Sequence, residues 1–524
     1  MANAYYDYIN GSAGNDGLTP TTAKATRDQA VAVAGAGDKV IAVDGTQQHE
    51  SADFVFDDNI IESSETYRQA TLIAADTETG EVARTSSALQ AANNPKVVEN
   101  LVFDGSQGNP PSRAFTIVAD TAEDIITDIQ GCRMISGSVG ALYLTDRRGT
   151  QRIVNLSVDG NIPDHAVYVD GNQAASGDQL IQINGLQVLP TNEIQSNQEL
   201  IDLRGLAANN LDLIVNGLEA KINVAASASS VYLAKLKSNS KIHLNGGKIE
   251  INGDDANGVT GIVIQGHSAG NEPSEVFIQN QRIDFNCPAG YGLAVGEAQI
   301  DGHLTSGTVS GCVLNGKHFA SATPHTVCLG QGTNTTFTGN TLSDGGVPIL
   351  VSKVDDAKVI NNVVINPFIT GIFIKGATDS TVENNVVIHN GSNPCRASLL
   401  CAVDDQAGTD TVASTIKNNV VLVKNISKIN TLSARNDASQ VCTFENNIYI
   451  LPDTVDLATT DLFGESCGAG GAANRTFAEW QAEAYTTNEK VVQLPVTQID
   501  VLIKQFTEIQ AQGSGLFTSL FRSI

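Results

Sequence analysis

At 524 residues the chain is too long for one ordinary globular core, which leaves either several domains or a repeat fold that grows in length without thickening its interior. Hydrophobic residues make up 41%, charged residues only 17%, and Gly reaches 48; a surface this poor in charge suits short strands and tight turns better than charged helices. Against 57 Asp plus Glu stand 31 Lys plus Arg, a formal net charge of -26, which argues against nucleic acid or an anionic membrane as partner because both select clustered positive charge.

The opening MANAYYDYINGSAG has no positive run followed by an apolar stretch, so no secretory leader is expected. No segment reaches the roughly 18 consecutive apolar residues of a membrane span. Residues 20 to 38, PTTAKATRDQAVAVAGAGD, predict a short amphipathic helix over 24 to 34 that ends at Gly35 or Gly37, then a strand over 39 to 43. A helix there covers the first coil of a stacked fold, whose unpaired edge and apolar bore would otherwise meet water.

From Val97 to Leu451 short apolar alternations return at intervals of about twenty to thirty-five residues, separated by Gly, Asn and Asp, which is a β-solenoid rhythm. Asn340, Asn362, Asn385, Asn419 and Asn447 mark one corner, separated by 22, 23, 34 and 28 residues. The short intervals match one coil of a three-sided parallel β-helix, and the long ones add an excursion each. Stacked at a bend, such amides bond from coil to coil in a turn that admits left-handed backbone angles. The expected fold is all-β, a parallel β-helix over 46 to 451, with an N-terminal strand and helical cap over 1 to 45 and a capping or assembly region over 452 to 524.

A second register describes one face. ALYLTD (141 to 146), AVYVDG (166 to 171), GIVIQG (261 to 266), GLAVGE (292 to 297), TVCLGQ (326 to 331) and GIFIKG (371 to 376) share an apolar, variable, apolar core. Alternation sends Leu142 and Leu144, Val167 and Val169, and their counterparts inward, leaving Tyr143, Tyr168 and Phe373 outside. In PILVSK, Lys353 takes the place that Lys375 holds in GIFIKG. ELIDLRG, NLDLIVNG, AKINVAAS and SSVYLAKL between 199 and 254 read as further strands without an assigned register.

Of eight Cys, Cys132, Cys312 and Cys442 read as small buried fillers. Cys395 and Cys401 are near enough in sequence to pair in an oxidising setting, and no Cys/His group has zinc spacing. Beyond Pro452 the coil rhythm stops; 474 to 486 and 499 to 512 have helical patterning, and the terminal LFTSLFRSI is apolar enough to dock on the solenoid end or a neighbouring subunit.

The segment YYDYINGSAGNDGLTPTTAKATRDQAVAVAGAGDKVIAVDGTQ resembles the start of many right-handed parallel β-helix proteins of the pectate-lyase-like superfamily. The likeness rests on Asn15, Asp16, Gly17, Pro20, the 24 to 34 helix, Gly37, Asp38 and Gly45. The later Asn-Asn turns and TFAEWQAEA at 476 to 484 are similar to that superfamily as well. The resemblance implies a right-handed coil and a partner that is a polysaccharide. The superfamily holds polysaccharide lyases, glycoside hydrolases, epimerases, phage tailspikes and catalytically silent structural proteins, and no compact signature here selects one activity. The tailspike-like reading implies a homotrimer, virion tail proteins as further partners, and a virion or extracellular setting.

The residues leave two chemistries open. Sugar rings have apolar C–H faces on which Tyr143, Tyr168 and Phe373 can stack. Hydrolysis needs two carboxylates across the glycosidic bond, and Asp146 and Asp170 end two similar strands about one coil apart. Arg147 and Arg148 can clamp an acidic sugar beside them, and His165 and His267 border face strands as proton-transfer candidates. Elimination needs a lysine that loses its proton near neutrality, for which Lys353 and Lys375 are the candidates, with Asp355, Asp356 and Asp379 close by to pair with them. No cofactor is required by either chemistry; Ca²⁺ could be held at Asp254 and Asp255 or at Asp404 and Asp405.

Overall fold

The computed structural model describes residues 2–48, 54–56, 60–65, 68–73, 81–85, 96–107, 113–118, 127–137, 140–145, 149–162, 164–170, 178–195, 198–205, 210–225, 230–236, 240–253, 260–266, 274–286, 290–295, 305–316, 324–329, 332–352, 354–390, 395–402, 414–435, 442–464 and 474–511. The chain forms two compact units. The first comprises Met1–Ala225, Val231–Ile249 and His267–Ser274; the second comprises Ala226–Ser230, Glu250–Gly266 and Glu275–Ile524. Each is a parallel β-solenoid, as the rhythm predicts.

In the first unit, strand Gln179–Pro190 lies between Gly149–Gly160 and Leu211–Val224, all in parallel register. Ile153, Ile183 and Val215 stack inside, wholly removed from water, and Ile181 and Leu213 form the next inner row. Burying each such side chain contributes roughly 1.5–3 kcal/mol. The N-terminal helix α1 (Arg27–Val31) is shorter than the expected 24 to 34. Thr26 is the physical reason: its side chain accepts from the Gln29 amide and starts the helix there, while Pro20–Thr22 makes a separate 3₁₀ turn capped by Thr19. The opening turn is held by residues that carry the resemblance. Asp16 accepts from the Leu18 amide and the Thr22 hydroxyl, Asn15 donates to the Ala23 carbonyl, and Asp38 accepts from the Gly35 amide.

At the head of this unit the bore contains charge. Arg27 and Lys96 both donate to Glu62, at 2.6 and 3.1 Å, and all three are buried beside Phe56, whose ring faces both cations. Lys96 also donates to the Ile60 carbonyl at 2.7 Å.

In the second unit the asparagine ladder forms as its spacing predicts. Asn340, Asn362, Asn385 and Asn419 each donate an amide hydrogen to the next residue's Oδ1 at 2.9 Å, ending on Asn447, and all five are buried. Their second amide hydrogens reach backbone carbonyls such as those of Val309, Phe337, Val359 and Val382. The residue before each ladder position takes a left-handed conformation: Gly339, Asn361, Asn384, Asn418 and Asn446. Gly and Asn are the types that tolerate it, which explains the repeated Asn-Asn pair.

The coil rhythm does not end at Pro452. Strand Lys490–Leu494 pairs in parallel with Ile448–Pro452, and Asn488 and Glu489 occupy the corner where earlier coils carry Asn-Asn. The excursion before this coil includes helix α2 (Phe477–Gln481), opened by a Thr476/Glu479 capping box and shorter than the expected 474 to 486. Its Trp480 is buried against Phe444 and Phe463, closing the apolar interior. Helix α3 (Val496–Ala511) packs Ile499, Ile503 and Phe506 into an apolar cluster that includes Val386, Val420 and Ile450. The LFTSLFRSI segment and the tail from 512 lie outside the described residues.

Two further expectations are corrected. Cys395 and Cys401 form no disulfide and lie on one strand, Cys395–Ala402, where six residues of extended chain hold them roughly 20 Å apart. Lys375 stands level with Ser352 and Ala402, so no lysine stacks on it from the adjoining coils; Lys353 lies outside the described residues. The inward alternation that seats Ile349 against Ile372 and Val351 against Ile374 fixes this register, one residue from the sequence alignment. Cys132, Cys312 and Cys442 are buried and outside any disulfide, as expected for fillers.

Candidate functional site

The site is built in the first unit by five strands in parallel register: Arg113–Val118, Gly140–Thr145, His165–Asp170, Gln198–Arg204 and Ser230–Leu236. Phe115, Leu142, Val167, Ile201 and Ala234 form an inner row. One residue further along each strand, Thr116, Tyr143, Tyr168, Asp202 and Lys235 form the outer row. In-register parallel pairing places like above like, and the two tyrosine rings stack with centroids 4.7 Å apart.

The rings do not form the open platform expected from sequence. Arg113 covers Tyr143 at 4.2 Å and Arg204 covers Tyr168 at 4.9 Å, leaving the two tyrosines 4% and 9% exposed. Gly140 makes room for this arrangement, since an added Cβ would lie 2.8 Å from Cε2 of Tyr143. Burial pushes the Tyr143 phenol upward, and it carries Tyr168 up to about 12, with Asp170 adding to the rise.

Four carboxylates surround the stack. Asp170 is half-buried, accepts from the Tyr168 hydroxyl at 3.3 Å, and stands level with Thr145 and Arg204. Asp202 is 1% exposed and accepts from Arg204 Nε at 2.7 Å. Burial raises its pKa from the ordinary 3.8, and the Arg204 charge opposes that rise without cancelling it. Glu199 receives Lys235 at 2.5 Å. His165 lies between Asp164, 3.3 Å from its Nε2, and the Glu199 backbone carbonyl, 3.1 Å from its Nδ1.

Asp164, His165 and Glu199 each bring a donor atom within 4.8 Å of the others and could coordinate a metal ion. An imidazole nitrogen with two carboxylates fits a transition ion better than Ca²⁺, which selects oxygen ligands. The Lys235 ammonium already neutralises Glu199, so an ion bound there would displace it. The candidate Ca²⁺ residues Asp254, Asp255, Asp404 and Asp405 lie outside the described residues.

Of the residues singled out from sequence, the structure brings together Tyr143, Tyr168, His165 and Asp170. Asp146, Arg147, Arg148 and His267 lie outside the described residues; the guanidiniums seen at the rings belong to Arg113 and Arg204. Phe373 belongs to the second unit, in an apolar row with Leu350 and Leu400 and packed on Ala397 and Ala434. Sequence reading missed Arg113, Glu199, Asp202, Arg204 and Lys235. The available signal was the match of VYVD (167–170) to IDLR (201–204), which sets Asp202 beside Tyr168.

The chain matches the family described as right-handed β-helix region over residues 260–449. No curated protein matches it. Among solved structures it is similar to tailspike protein 3 of bacteriophage CBA120, at 10% identity and a TM-score of 0.35, over 82% of this chain and 60% of that one. It therefore spans less than two thirds of that protein's length. A tailspike protein of the E. coli bacteriophage HK620, solved as a mutant in complex with a pentasaccharide, gives 12% identity and a TM-score of 0.37 over 87% of this chain and 72% of that one. The mannuronan C-5 epimerase A-module of Azotobacter vinelandii gives 12% and 0.27 over 94% of this chain and 100% of that one. Among the described residues no helix is long and apolar enough to cross a membrane.

Proposed function

We propose that this protein is a tailspike-like or surface β-helix that binds a polysaccharide over the Tyr143–Tyr168 stack and hydrolyses a glycosidic bond there. The carrying observation is the pair of unlike carboxyl groups at the stack, Asp202 buried with a raised pKa and Asp170 half-buried on the Tyr168 hydroxyl. Environments that push two carboxyls apart suit an acid and a base. In this reading Asp202 gives its proton to the leaving oxygen as the sugar C–O bond breaks, and Asp170 attacks the anomeric carbon or takes a proton from the attacking water. Arg204 covers both Tyr168 and Asp202 while 37% exposed, so its displacement by the sugar uncovers ring and acid together.

One observation favours a second reading, a virion structural protein without sugar chemistry. Rings this well covered by neighbouring side chains stabilise the coil stack with no ligand at all. A polysaccharide panel of acidic and neutral bacterial and algal glycans separates the readings, scored for new reducing ends and for unsaturated ends, with and without EDTA. Reducing ends lost in Asp202→Asn support hydrolysis. Unsaturated ends would move the assignment to a lyase, and no product with any glycan would favour the structural role. The tailspike-like reading also carries a homotrimer joined to virion tail proteins outside the cell, tested by the mass of the native assembly.

A further inference from the structure

A groove of 790 Å³ opens on a different strand ladder of the first unit, away from the tyrosine stack's own strands. Its floor is one residue from each of five coils in parallel register: Tyr5 against Ile41, Ile41 against Ser63, Ser63 against Glu99, and Glu99 against Gln130. The residues beside them, Ala4, Val40, Glu62, Val98 and Ile129, turn inward and are buried, so the floor is the outer row of this ladder. Five coils at the inter-strand spacing make it roughly 19 Å long. The wall is preformed by the turns at the strand ends. Asn100 Nδ2 donates to the Glu65 carbonyl at 2.9 Å, the Ser64 hydroxyl donates to the Asn100 carbonyl, and Gln69 Nε2 reaches the Gly131 carbonyl at 2.8 Å.

The lining chemistry is polar but balanced. Lys39 pairs with Glu99, which also accepts from the Ser63 hydroxyl at 3.1 Å, and Arg68 pairs with Asp44 at 2.8 Å. With its cations matched, the groove offers a charged ligand little net attraction. It offers an uncharged one the Tyr5 ring, the exposed Gln130 amide and the edges of fixed ion pairs, a set of donors and acceptors suited to hydroxyl groups.

We propose that this groove is a second binding site for a neutral, hydroxyl-rich glycan chain, lying along the coil stack and holding polymer without cleaving it. Glu99 is engaged by Lys39 and Ser63 and so is held in place as part of the lining rather than poised as one of a hydrolytic pair. The inference rests on the reading that the protein handles polysaccharide, and its test separates the two.

The full chain is applied to an array of neutral and acidic glycans, alongside Gln130→Ala, Gln130→Trp, which fills the groove from an exposed position, and Asp202→Asn. Wild-type protein is expected to retain at least one neutral glycan, and both Gln130 variants to weaken that retention by roughly tenfold with unchanged thermal unfolding. Retention of no neutral glycan, or equal retention by wild type and both Gln130 variants, overturns the second site. If the Gln130 variants bind as wild type while Asp202→Asn stops product release, the groove fails and the proposed hydrolysis stands. If the Gln130 variants weaken binding and no glycan is ever cleaved, the groove stands and the hydrolysis fails.

Discussion

Glu489 receives the last rung of the asparagine ladder from Asn447, its Oε1 accepting both the Asn447 backbone amide and Nδ2 at 2.9 Å while its Oε2 accepts the Tyr449 hydroxyl at 2.6 Å. Each earlier rung passes a hydrogen bond to another amide. A carboxylate can stand at the end because it accepts without having to donate onward. Glu489→Ala removes the acceptor of three buried hydrogen bonds and should destabilise the C-terminal coil by about 3 kcal/mol, read as a lower urea midpoint and faster amide exchange over 486–494. Burial raises the Glu489 pKa above the ordinary 4.5, despite its three hydrogen-bond donors. A raised folded pKa means that its stabilising contribution is full below the unfolded value and is lost as pH rises through the folded one. Glu489→Gln keeps the acceptor for Asn447 without the buried charge, and should flatten that dependence. An unchanged pH slope in Glu489→Gln would show that Glu489 does not set it.

The Arg27–Glu62–Lys96 group predicts an asymmetric mutational response. Glu62→Gln leaves two buried cations against one neutral amide, which should cost about 3–5 kcal/mol, whereas replacing all three by apolar residues of similar volume should be near neutral. Chemical denaturation of both variants checks this. A single Glu62→Gln change that leaves the unfolding midpoint in place would show that the network carries no such energy.

Within the ladder, Asn385 is the central test position. It donates to Asn419 and to the Val359 carbonyl, and accepts from the amide and Nδ2 of Asn362. Asn385→Ala should cost about 2–4 kcal/mol, because its partners are buried and water cannot replace the lost bonds. Asn384→Ala, at φ 57° beside it, should cost less, through backbone strain alone. Differential scanning calorimetry orders the two, and the reverse order would contradict the view that the ladder bonds outweigh the corner geometry.

The solenoid was legible because its two determinants are local: alternating apolar residues set the inner row, and Asn-Asn marks a corner whose first residue needs a left-handed angle. The last coil was missed because Glu489 replaces Asn at the same corner, after a 42-residue excursion from Asn447. The site was legible only where neighbouring strands look alike, as with Tyr143 over Tyr168. Asp202 and Arg204 come from a strand whose apolar alternation repeats that of VYVD but whose outward residues differ, and His165 and Glu199 are 34 positions apart. Excursions of different length erase the count by which one coil is laid on the next, while burial and ion pairing depend on that overlay. The expected openness of the tyrosines failed for the same reason, since Arg113 and Arg204 cover them from adjoining coils.

The raised pKa of Asp202 gives the hydrolytic reading its sharpest consequence. A general acid works only while protonated, so the cleavage rate should fall as pH rises through the Asp202 value, which burial sets above 3.8. Arg204 holds that value down, and Arg204→Met should move the alkaline limb of the profile to higher pH while weakening sugar binding at Tyr168. Asp202→Asn should lower the rate by roughly 10²-fold or more and remove that limb, while Asp170→Asn should lower the rate and leave that limb in place. Tyr168→Phe keeps the stack and frees Asp170 of its hydroxyl partner, so binding should hold while the rate changes. Initial rates against pH for the four variants, on whichever glycan yields reducing ends, decide it. An alkaline limb that stays in place in Asp202→Asn would remove Asp202 as the acid, because an amide does not titrate and the limb would then belong to another group.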